Sequence, residues 1–176
     1  YHYDTLFAGH TAIGHTHGIG LYIRFKREHS ATPVIIKAAH SFTGIDGARL
    51  NIAAEIPHWD FDHTHRELTS IWEQHLSSIT VDTDDAVAKR KLYGALYRTS
   101  FLPHAIHDVD GRYPSFAGGD SLFTTATAYY DCFSLWDTYR AQHPLITLLH
   151  PTRSGDMMQS LVDKYRQGGW LPIFPS

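Results

Sequence analysis

The fold class is decided by residues 61–103, which read FDHTHRELTSIWEQHLSSITV and then DTDDAVAKRKLYGALYRTSFLP. In the first half, apolar side chains recur mostly at spacings of three and four: Phe61, Leu68, Ile71, Trp72, Leu76 and Ile79. Similar spacing continues in the second half, from Val87 to Phe101. An apolar stripe with this period is typical of an amphipathic helix. The stretch therefore predicts two helices in series.

The ends of the second helix carry their own signals. We expect Asp82 or Thr83 to be its N-cap, because a side-chain oxygen there accepts hydrogen bonds from the free N–H groups of the first turn. Asp84 and Asp85 then fall in that first turn, where negative charge is favourable. Pro103 is expected to stop the helix, because its ring removes a hydrogen-bond donor and clashes with the preceding turn.

The part of the chain before residue 44 is predicted to be β-structure. Residues 18–27, GIGLYIRFKR, alternate apolar and polar side chains, which predicts a strand with one buried face. Residues 32–42, TPVIIKAAHSF, form a second run rich in β-branched residues. The residues between the two runs fit a hairpin connection. From residue 44 the period changes, and GIDGARLNIAAEI predicts a short helix.

After residue 103 we expect a loop and then more helices. Residues 104–120 are rich in turn formers, and residues 124–132 are either a strand or an extended segment. Three helices should follow: one capped by Ser134, one beginning at Pro144, and one over 152–169 with Ser154 as N-cap and Gly168-Gly169 at its end. Strands first and helices afterwards predict an α+β chain, with the end of a β domain, one or two linker helices and the start of an all-helical domain.

Composition narrows the function classes. The chain has 176 residues, of which 43% are hydrophobic and 19% charged, enough for a core in about one domain. A net charge of -3 gives no sign of binding to nucleic acid or to an anionic membrane, and no apolar run is long enough to cross a bilayer. The single cysteine, Cys132, excludes an internal disulfide. Aromatic residues, at 13%, suit the flat faces of sugars, although many aromatic cores bind no sugar.

Two H-x-H pairs occur among the 14 histidines, His15 with His17 and His63 with His65. On a strand, such a pair would present both imidazoles on one face, as some metal sites require. No obvious third ligand lies near either pair in the sequence. Polar residues of a loop and of a helix entry are therefore the favoured interpretation, and no metal ligand is assigned.

The stretch HDVDGRYPSF contains a D-x-D-G pattern formed by Asp108, Asp110 and Gly111. Oxygen ligands at alternate positions begin the calcium loop of helix-loop-helix proteins, which also needs a Glu at the twelfth position. Counted from Asp108, the twelfth residue is Gly119, so the pattern fails. The favoured interpretation is a turn in which Asp and Gly serve the backbone.

The stretch SLWDTYR holds the strongest candidate binding residues. Trp136 offers a flat ring beside Asp137, and Arg140 is three residues further on, so that Asp137 and Arg140 can pair on one helical face. A carboxylate beside an aromatic ring suits a pyranose, because the ring stacks and the carboxylate accepts from two hydroxyls. The alternative is a buried structural Trp with an intrahelical ion pair.

Several stretches, in this order, resemble glycoside hydrolase family 92, a family of exo-acting α-mannosidases. They are VIIKAAHSFTGIDGARLNIAAE (34–55), WDFD (59–62), IWEQHL (71–76), KLYGALYRTSFLP (91–103), DVDGRYPSF (108–116), SLWDTYRAQHPLITLLHP (134–151) and SLVDKYRQGGWLP (160–172). The similarity spans about residues 18–173. SxWDTYR followed by PL is fairly specific, and the combination is stronger than any one motif.

The resemblance implies an architecture. Residues 1–43 would be the C-terminal strands of an N-terminal β-sandwich, residues 44–80 linker helices, and residues 81–176 the first part of an (α/α)6 catalytic barrel. The rest of the enzyme polypeptide is then an expected partner, and this chain an internal segment that is inactive alone. The general acid and base are expected beyond residue 176, so no catalytic residue is assigned within the chain.

The resemblance also implies an activity. The family hydrolyses terminal α-mannose from glycans with inversion and depends on calcium, whose main ligands are expected outside this chain. Trp136, Asp137 and Arg140 would line the mannose pocket, with Arg140 either touching the sugar or only holding Asp137. Glycan substrates imply an extracytoplasmic protein, secreted or periplasmic.

Two other classes of protein remain open from the sequence. One is a non-catalytic carbohydrate-binding or scaffold fragment of the same fold, which would bind mannose without turnover. The other is an unrelated helical enzyme with a histidine metal site, which would carry stoichiometric zinc.

Overall fold

The structure, a computed structural model, describes residues 33–173. Contacts divide the chain into two units, Tyr1–Ile35 and Ile36–Ser176, and all the helices and strands given below belong to the second. The predicted strand over residues 18–27 lies outside the described residues.

Six helices and four short strands make up the described part of the chain. The helices are α1 (Ile45–Glu55), α2 (Phe61–Leu76), α3 (Ala86–Arg98), α4 (Leu135–Thr138), α5 (Gln142–Leu149) and α6 (Pro151–Gly168). The strands are β1 (His104–Ala105), β2 (Arg112–Pro114), β3 (Leu122–Thr124) and β4 (Tyr130–Asp131). Two antiparallel pairs form, β1 with β4 and β2 with β3. The described fold is therefore mixed, mainly helical with few strands.

The predicted strand over residues 32–42 is wrong for the part that is described. Residues 33–42 contain no strand, and Ile36 is 67% exposed. A strand needs a partner for its N–H and C=O groups, and a β-branched run does not supply one. The extended segment is held by a side chain instead, because Lys37 Nζ donates to the carbonyl oxygen of Ile56 at 2.8 Å.

The helices α1, α2 and α3 form where the periodicity predicts them, but the start of α3 is corrected. Its N-cap is Asp85, not Asp82 or Thr83. The Asp85 backbone is extended, so its carboxylate accepts from the N–H groups of Val87 and Ala88, each at 2.9 Å. One carboxylate that reaches two free N–H groups is a better cap than a residue further upstream. Asp84 therefore lies outside the helix.

The later helix starts are also corrected in detail. Ser134 holds the N-cap position of α4 as predicted, but its side chain makes no cap hydrogen bond. Helix α5 begins at Gln142, so Pro144 is its third residue, where the free N–H groups of a first turn still tolerate proline. Helix α6 begins at Pro151, so Ser154 lies inside it. Its end is confirmed, since Gly169 is the C-cap in the left-handed region at φ 77°.

The core lies between β4, α5 and α6. One buried cluster contains Tyr130, Phe133, Ile146, Met157 and Leu161. A second cluster contains Ile106, Tyr113 and Tyr129, in which the rings of Tyr113 and Tyr129 stack with centroids 3.7 Å apart. Phe133 and Met157 are fully buried, so the short helix α4 follows directly from one of the best-packed positions of the described chain. In the described residues, no helix combines the length and apolar character needed to cross a membrane.

Candidate functional site

The turn that carries Trp136 and Asp137 is packed against the buried core. Phe133 is completely buried before it, and Leu135 packs against the same apolar cluster. Between these contacts and the solvent, the single turn of α4 directs Trp136 outward, with 74% of its surface exposed. A large aromatic ring so exposed on a well-packed turn contradicts the alternative of a buried structural Trp.

Hydrogen bonds within the turn orient the Asp137 carboxylate. Ser134 Oγ donates to Asp137 Oδ2 at 2.7 Å, and Asp137 N–H donates back to the Ser134 carbonyl at 3.0 Å. Thr138 Oγ1 also donates to that carbonyl, at 2.9 Å. Among residues 33–173, Ser134 is the donor that meets this carboxylate, and Oδ1 has none. One oxygen is thus fixed and the other can accept from a ligand.

Arg140 does not pair with Asp137, so the predicted intrahelical ion pair is wrong. Helix α4 ends at Thr138, and Arg140 lies beyond it, where the three-residue spacing no longer brings the two side chains together. The guanidinium instead donates to the Tyr139 hydroxyl, from Nε at 3.2 Å and from Nη2 at 2.9 Å. The hypothesis that Arg140 only holds Asp137 is therefore excluded for this structure. Trp136, Asp137 and Arg140 are all exposed.

A second polar centre forms around Asp108, which is buried. Ser41 Oγ donates to its carboxylate at 2.8 Å, Asn51 Nδ2 does so at 2.8 Å, and Thr43 Oγ1 also donates to it. Burial disfavours the charged form, but the three hydrogen bonds together hold the pKa of Asp108 below its ordinary value. Gly47 lets helix α1 approach, because a Cβ there would collide with the carboxylate.

The interpretation of D-x-D-G as a turn is confirmed. Gly111 N–H donates to the Asp108 carbonyl at 2.8 Å, and Asp110 pairs with Arg112 at 2.6 Å. Gly111 has φ 82°, and a Cβ there would strike the Thr125 carbonyl. The side-chain role of Asp108 was not predicted, because its partners are distant in sequence, 57 to 67 residues away.

Asp108 also lines a cavity of about 320 Å³ together with Asn51, Glu55 and His107. This cavity does not include Trp136, Asp137 or Arg140 in its walls. The residues that the sequence singled out for sugar binding thus lie on an exposed turn, and this polar cavity is a separate place.

A buried cation was also missed by sequence analysis. Lys164 is 1% exposed, and its Nζ lies 2.9 Å from Asp131 Oδ1 and 3.1 Å from the Tyr129 hydroxyl. Nζ also lies 4.7 Å from the ring centroids of Phe116 and Tyr129. Burial lowers the pKa of Lys164, and Asp131 acts against that shift. Both aromatic faces and the carboxylate favour the ammonium form, which supports a structural role.

The two H-x-H pairs have different outcomes. His15 and His17 lie outside the described residues. His63 and His65 lie on helix α2, where residues two apart point to different sides, so they do not form a shared site. His65 stacks on Phe61, with ring centroids 6.5 Å apart, whereas His63 lies beside Glu67.

The carboxylates of residues 33–173 do not gather in the number that calcium commonly takes. Calcium takes roughly six to eight oxygen ligands, commonly from several carboxylates. Within the described range, the group of three acidic, imidazole or thiol side chains that converges is His58, His63 and Glu67, which offers one carboxylate. The Asp108 carboxylate already accepts three side-chain hydrogen bonds.

The described fold is similar to solved structures of glycosyl hydrolases. The family GH92 alpha-mannosidase BT3965 from Bacteroides thetaiotaomicron is similar with a TM-score of 0.71 and 28% identity, over 77% of this chain and 18% of that chain. The family GH92 inverting mannosidase BT2199 from Bacteroides thetaiotaomicron VPI-5482 has a TM-score of 0.68 and 28% identity, over 76% of this chain and 18% of its own. The GH92 family glycosyl hydrolase ccman5 shares the fold, with a TM-score of 0.68 and 23% identity, over 77% of this chain and 19% of its own.

The particular family follows from the sequence profile. The profile described as the glycosyl hydrolase family 92 catalytic domain matches residues 47–176. The chain belongs to glycosyl hydrolase family 92. It spans less than a fifth of the length of the solved structures named above. A search of curated proteins found no match.

Proposed function

We propose that this chain supplies part of the mannose-binding pocket of an inverting exo-α-mannosidase, which removes terminal α-mannose from glycans. The proposal rests on one observation: an exposed Trp136 beside an exposed Asp137, on a turn fixed by the buried Phe133. Membership of family 92 supports it, because similar structures of that family are described as alpha-mannosidases and one as an inverting mannosidase.

In this proposal each of the three side chains has its own task. The indole of Trp136 stacks against the apolar face of the pyranose. Asp137 accepts hydrogen bonds from two neighbouring sugar hydroxyls, and the Ser134 hydroxyl keeps the carboxylate in a constant orientation. Arg140, steadied by the Tyr139 hydroxyl, donates to a sugar oxygen. These contacts bind and orient the sugar, and they transfer no proton.

The chemical step belongs to residues outside this chain. Inverting hydrolysis uses one carboxylic acid to protonate the leaving oxygen and one carboxylate to activate water, roughly 6.5–9.5 Å apart. We assign neither role here and propose that both groups, and the main calcium ligands, lie in the rest of the polypeptide. A glycan substrate also supports an extracytoplasmic location.

We also propose that the described helices are linker helices followed by the first helices of an (α/α)6 barrel. The exposed apolar surface supports this arrangement. Phe61, Leu68 and Ile71 on α2 are each more than half exposed, and so is Trp170 after α6. The rest of the enzyme would cover such residues, since large apolar patches on soluble proteins mark interfaces.

The test is hydrolysis of an α-mannoside by the full-length enzyme that carries this segment. We expect Asp137→Asn to lower kcat/KM at least ~100-fold, equivalent to about 2.7 kcal/mol of transition-state stabilisation. Trp136→Ala should mainly raise KM. Asp163→Asn is a matched control, because it removes a carboxylate from α6 that pairs with the exposed Arg166.

The outcomes separate the parts of the proposal. Activity of Asp137→Asn within about threefold of the parent would contradict the pocket assignment, while loss in the control as well would point to folding. If the parent binds mannose but releases no product, the non-catalytic alternative is correct. Loss of activity on chelation, with recovery on adding Ca²⁺, is expected of the whole enzyme.

A further inference from the structure

We propose that His58, His63 and Glu67 form a binding site for one divalent transition-metal ion of the zinc class, at the start of helix α2. His63 and Glu67 are one turn apart on the helix, with His63 Nδ1 3.2 Å from Glu67 Oε2. His58 approaches from the segment before the helix, with its Nε2 3.8 Å from the same oxygen. The two imidazole rings stand nearly perpendicular, 4.3 Å between centroids.

The spacing of these atoms matches a metal cage. All three potential ligand atoms lie within 4.8 Å of one another. A zinc ion bonds to imidazole nitrogen and carboxylate oxygen at about 2.0–2.2 Å, so tetrahedral ligands stand about 3.4 Å apart. The distances of 3.2 Å and 3.8 Å from Glu67 fall on either side of that value. Side-chain rotations within this spread of 4.8 Å would close the site around an ion.

The backbone around the three residues is fixed by contacts that do not use the ligand atoms. Asp60 is the N-cap of α2, and its carboxylate accepts from the His63 N–H at 2.9 Å. Lys37 Nζ donates to the His58 carbonyl at 3.3 Å and lies 4.5 Å from the Trp59 ring centroid. The segment before the helix is thus held beside the first turn, which limits the ordering that a metal would have to impose.

One existing contact has to be given up on binding. His58 Nδ1 accepts a hydrogen bond from the Asp60 N–H, which places the ring proton of neutral His58 on Nε2. When Nε2 binds the metal, that proton moves to Nδ1, which then no longer accepts from the Asp60 N–H. The hydrogen bond is 3.3 Å long, beyond the usual N–H distance, so its loss costs little.

The ligand set selects the kind of ion. Two imidazoles and one carboxylate suit zinc, cobalt, nickel or copper, whereas calcium and magnesium prefer oxygen ligands alone. The side chains of His58, His63 and Glu67 are 30%, 46% and 55% exposed, so an ion can enter from solvent. Three protein ligands also leave a position for water. This site is distinct from the sugar-binding turn and from the calcium of the proposed function.

The experiment is calorimetric titration, with Zn²⁺ near pH 7, of the full-length enzyme that carries this segment, together with Co²⁺ as a spectroscopic probe. We expect one strong site per chain, visible Co²⁺ absorption bands, and no competition from a large excess of Ca²⁺. His63→Ala and Glu67→Gln should each weaken binding at least ~tenfold, because each removes a direct ligand. His65→Ala is the matched control, since it removes a histidine from the same helix outside the cluster, and it should bind like the parent.

Other outcomes would overturn the proposal. It fails if the parent takes up no Zn²⁺, or if His63→Ala and Glu67→Gln bind like the parent, which would assign the metal to other histidines. It also fails if His65→Ala loses binding as fully as His63→Ala. Circular dichroism of each variant excludes loss of the helix as the cause.

Discussion

Two regions of the described chain are built from similar sequence patterns but are packed very differently. Within residues 33–173, the nine buried hydrophobic residues lie between Leu96 and Leu161, mainly around β4, α5 and α6. In contrast, α2 buries none of its residues and α1 buries only Gly47. Yet α2 carries a clear apolar stripe, in which Phe61 is 68% exposed. Periodicity therefore reveals an apolar face that needs covering, whereas its burial depends on which residues lie opposite.

The helices of the first region are attached by different kinds of contact. Helix α2 meets α3 through the Trp72 and Tyr97 rings, with centroids 4.5 Å apart. Helix α1 is tied to the rest by polar side chains around Asp108. Apolar contacts hold α5 and α6 together. Helix α1 is held instead by the hydrogen bond of Asn51 to the Asp108 carboxylate.

The largest expected effect is on the core. Phe133→Ala empties a fully buried position and should lower the free energy of unfolding by about 3–5 kcal/mol, through lost transfer energy and a cavity. Its counterpart on the exposed face, Phe61→Ala, should change it by less than about 0.5 kcal/mol. Urea unfolding of both variants measures the contrast. If both variants lost the same free energy of unfolding, the apolar stripe of α2 would be buried in solution.

A smaller effect is expected at the connection between the regions. Asp108→Ala strands the three donors of Ser41, Thr43 and Asn51 and should cost about 2–3 kcal/mol. Amide exchange should rise most in α1, and Asp110→Ala is the control because that carboxylate is exposed. If exchange rises equally in α1 and α6, Asp108 supports the whole unit and not the connection.

The ionisation of Asp108 also predicts how stability changes at low pH. The folded-state pKa of Asp108 is lowered, so its contribution is present above the unfolded value of about 3.9 and is lost as pH falls through the folded value. Asp108→Ala should lower the free energy of unfolding more than Asp110→Ala does, and this difference should shrink below about pH 4. A constant difference down to pH 2 would show that ionisation of Asp108 is not involved.

The smallest effect concerns the contact of α2 with His150, the residue between α5 and α6. His75 stacks on His150 with centroids 4.3 Å apart, and Arg153 faces both rings. Burial lowers the pKa of each imidazole, and the neighbouring positive groups add to that shift.

The folded-state pKa of each ring is lowered. The neutral pair therefore makes its full contribution to the free energy of unfolding above about pH 6.5, and that contribution is lost as the pH falls below this value. We expect a loss of less than about 1 kcal/mol between pH 7 and pH 5, since solvent screens part of the interaction. His75→Gln should flatten that dependence, whereas His65→Gln should leave it as in the parent. Parallel pH profiles for all three proteins would exclude the stacked pair as the cause.

Sequence patterns predicted the helices because their information is local. The three-and-four spacing was sufficient for α2 and α3, and Gly169 marked the end of α6 by its left-handed backbone. The strand predicted over residues 32–42 was wrong for the described residues 33–42, because strand formation depends on a partner that β-branched residues alone do not provide. Exact N-caps were missed where several acidic residues competed, as at Asp82 to Asp85.

The candidate sites also differ in how far the sequence could predict them. Trp136 and Asp137 were singled out because a single short segment holds both, and the structure places both on an exposed turn. Their binding role stays a proposal. Their rigid support from Phe133, and the separation of Arg140 from Asp137, depend on where α4 ends. The cluster of His58, His63 and Glu67 was missed, because the H-x-H pattern drew attention to His65. The relevant signal was the four-residue spacing of His63 and Glu67, with His58 just before the helix.

The Asp108 centre finally has a consequence for the order in which the chain can assemble. Its donors come from residues 41–51, whereas the acceptor is made more than 50 residues later. On a ribosome, α1 can coil early by its own local bonds, but it cannot be locked until the turn at residue 108 has left the exit tunnel. A chain arrested before that point would leave α1 without these hydrogen bonds, so α1 can be held in place by them only after Asp108 has been synthesised.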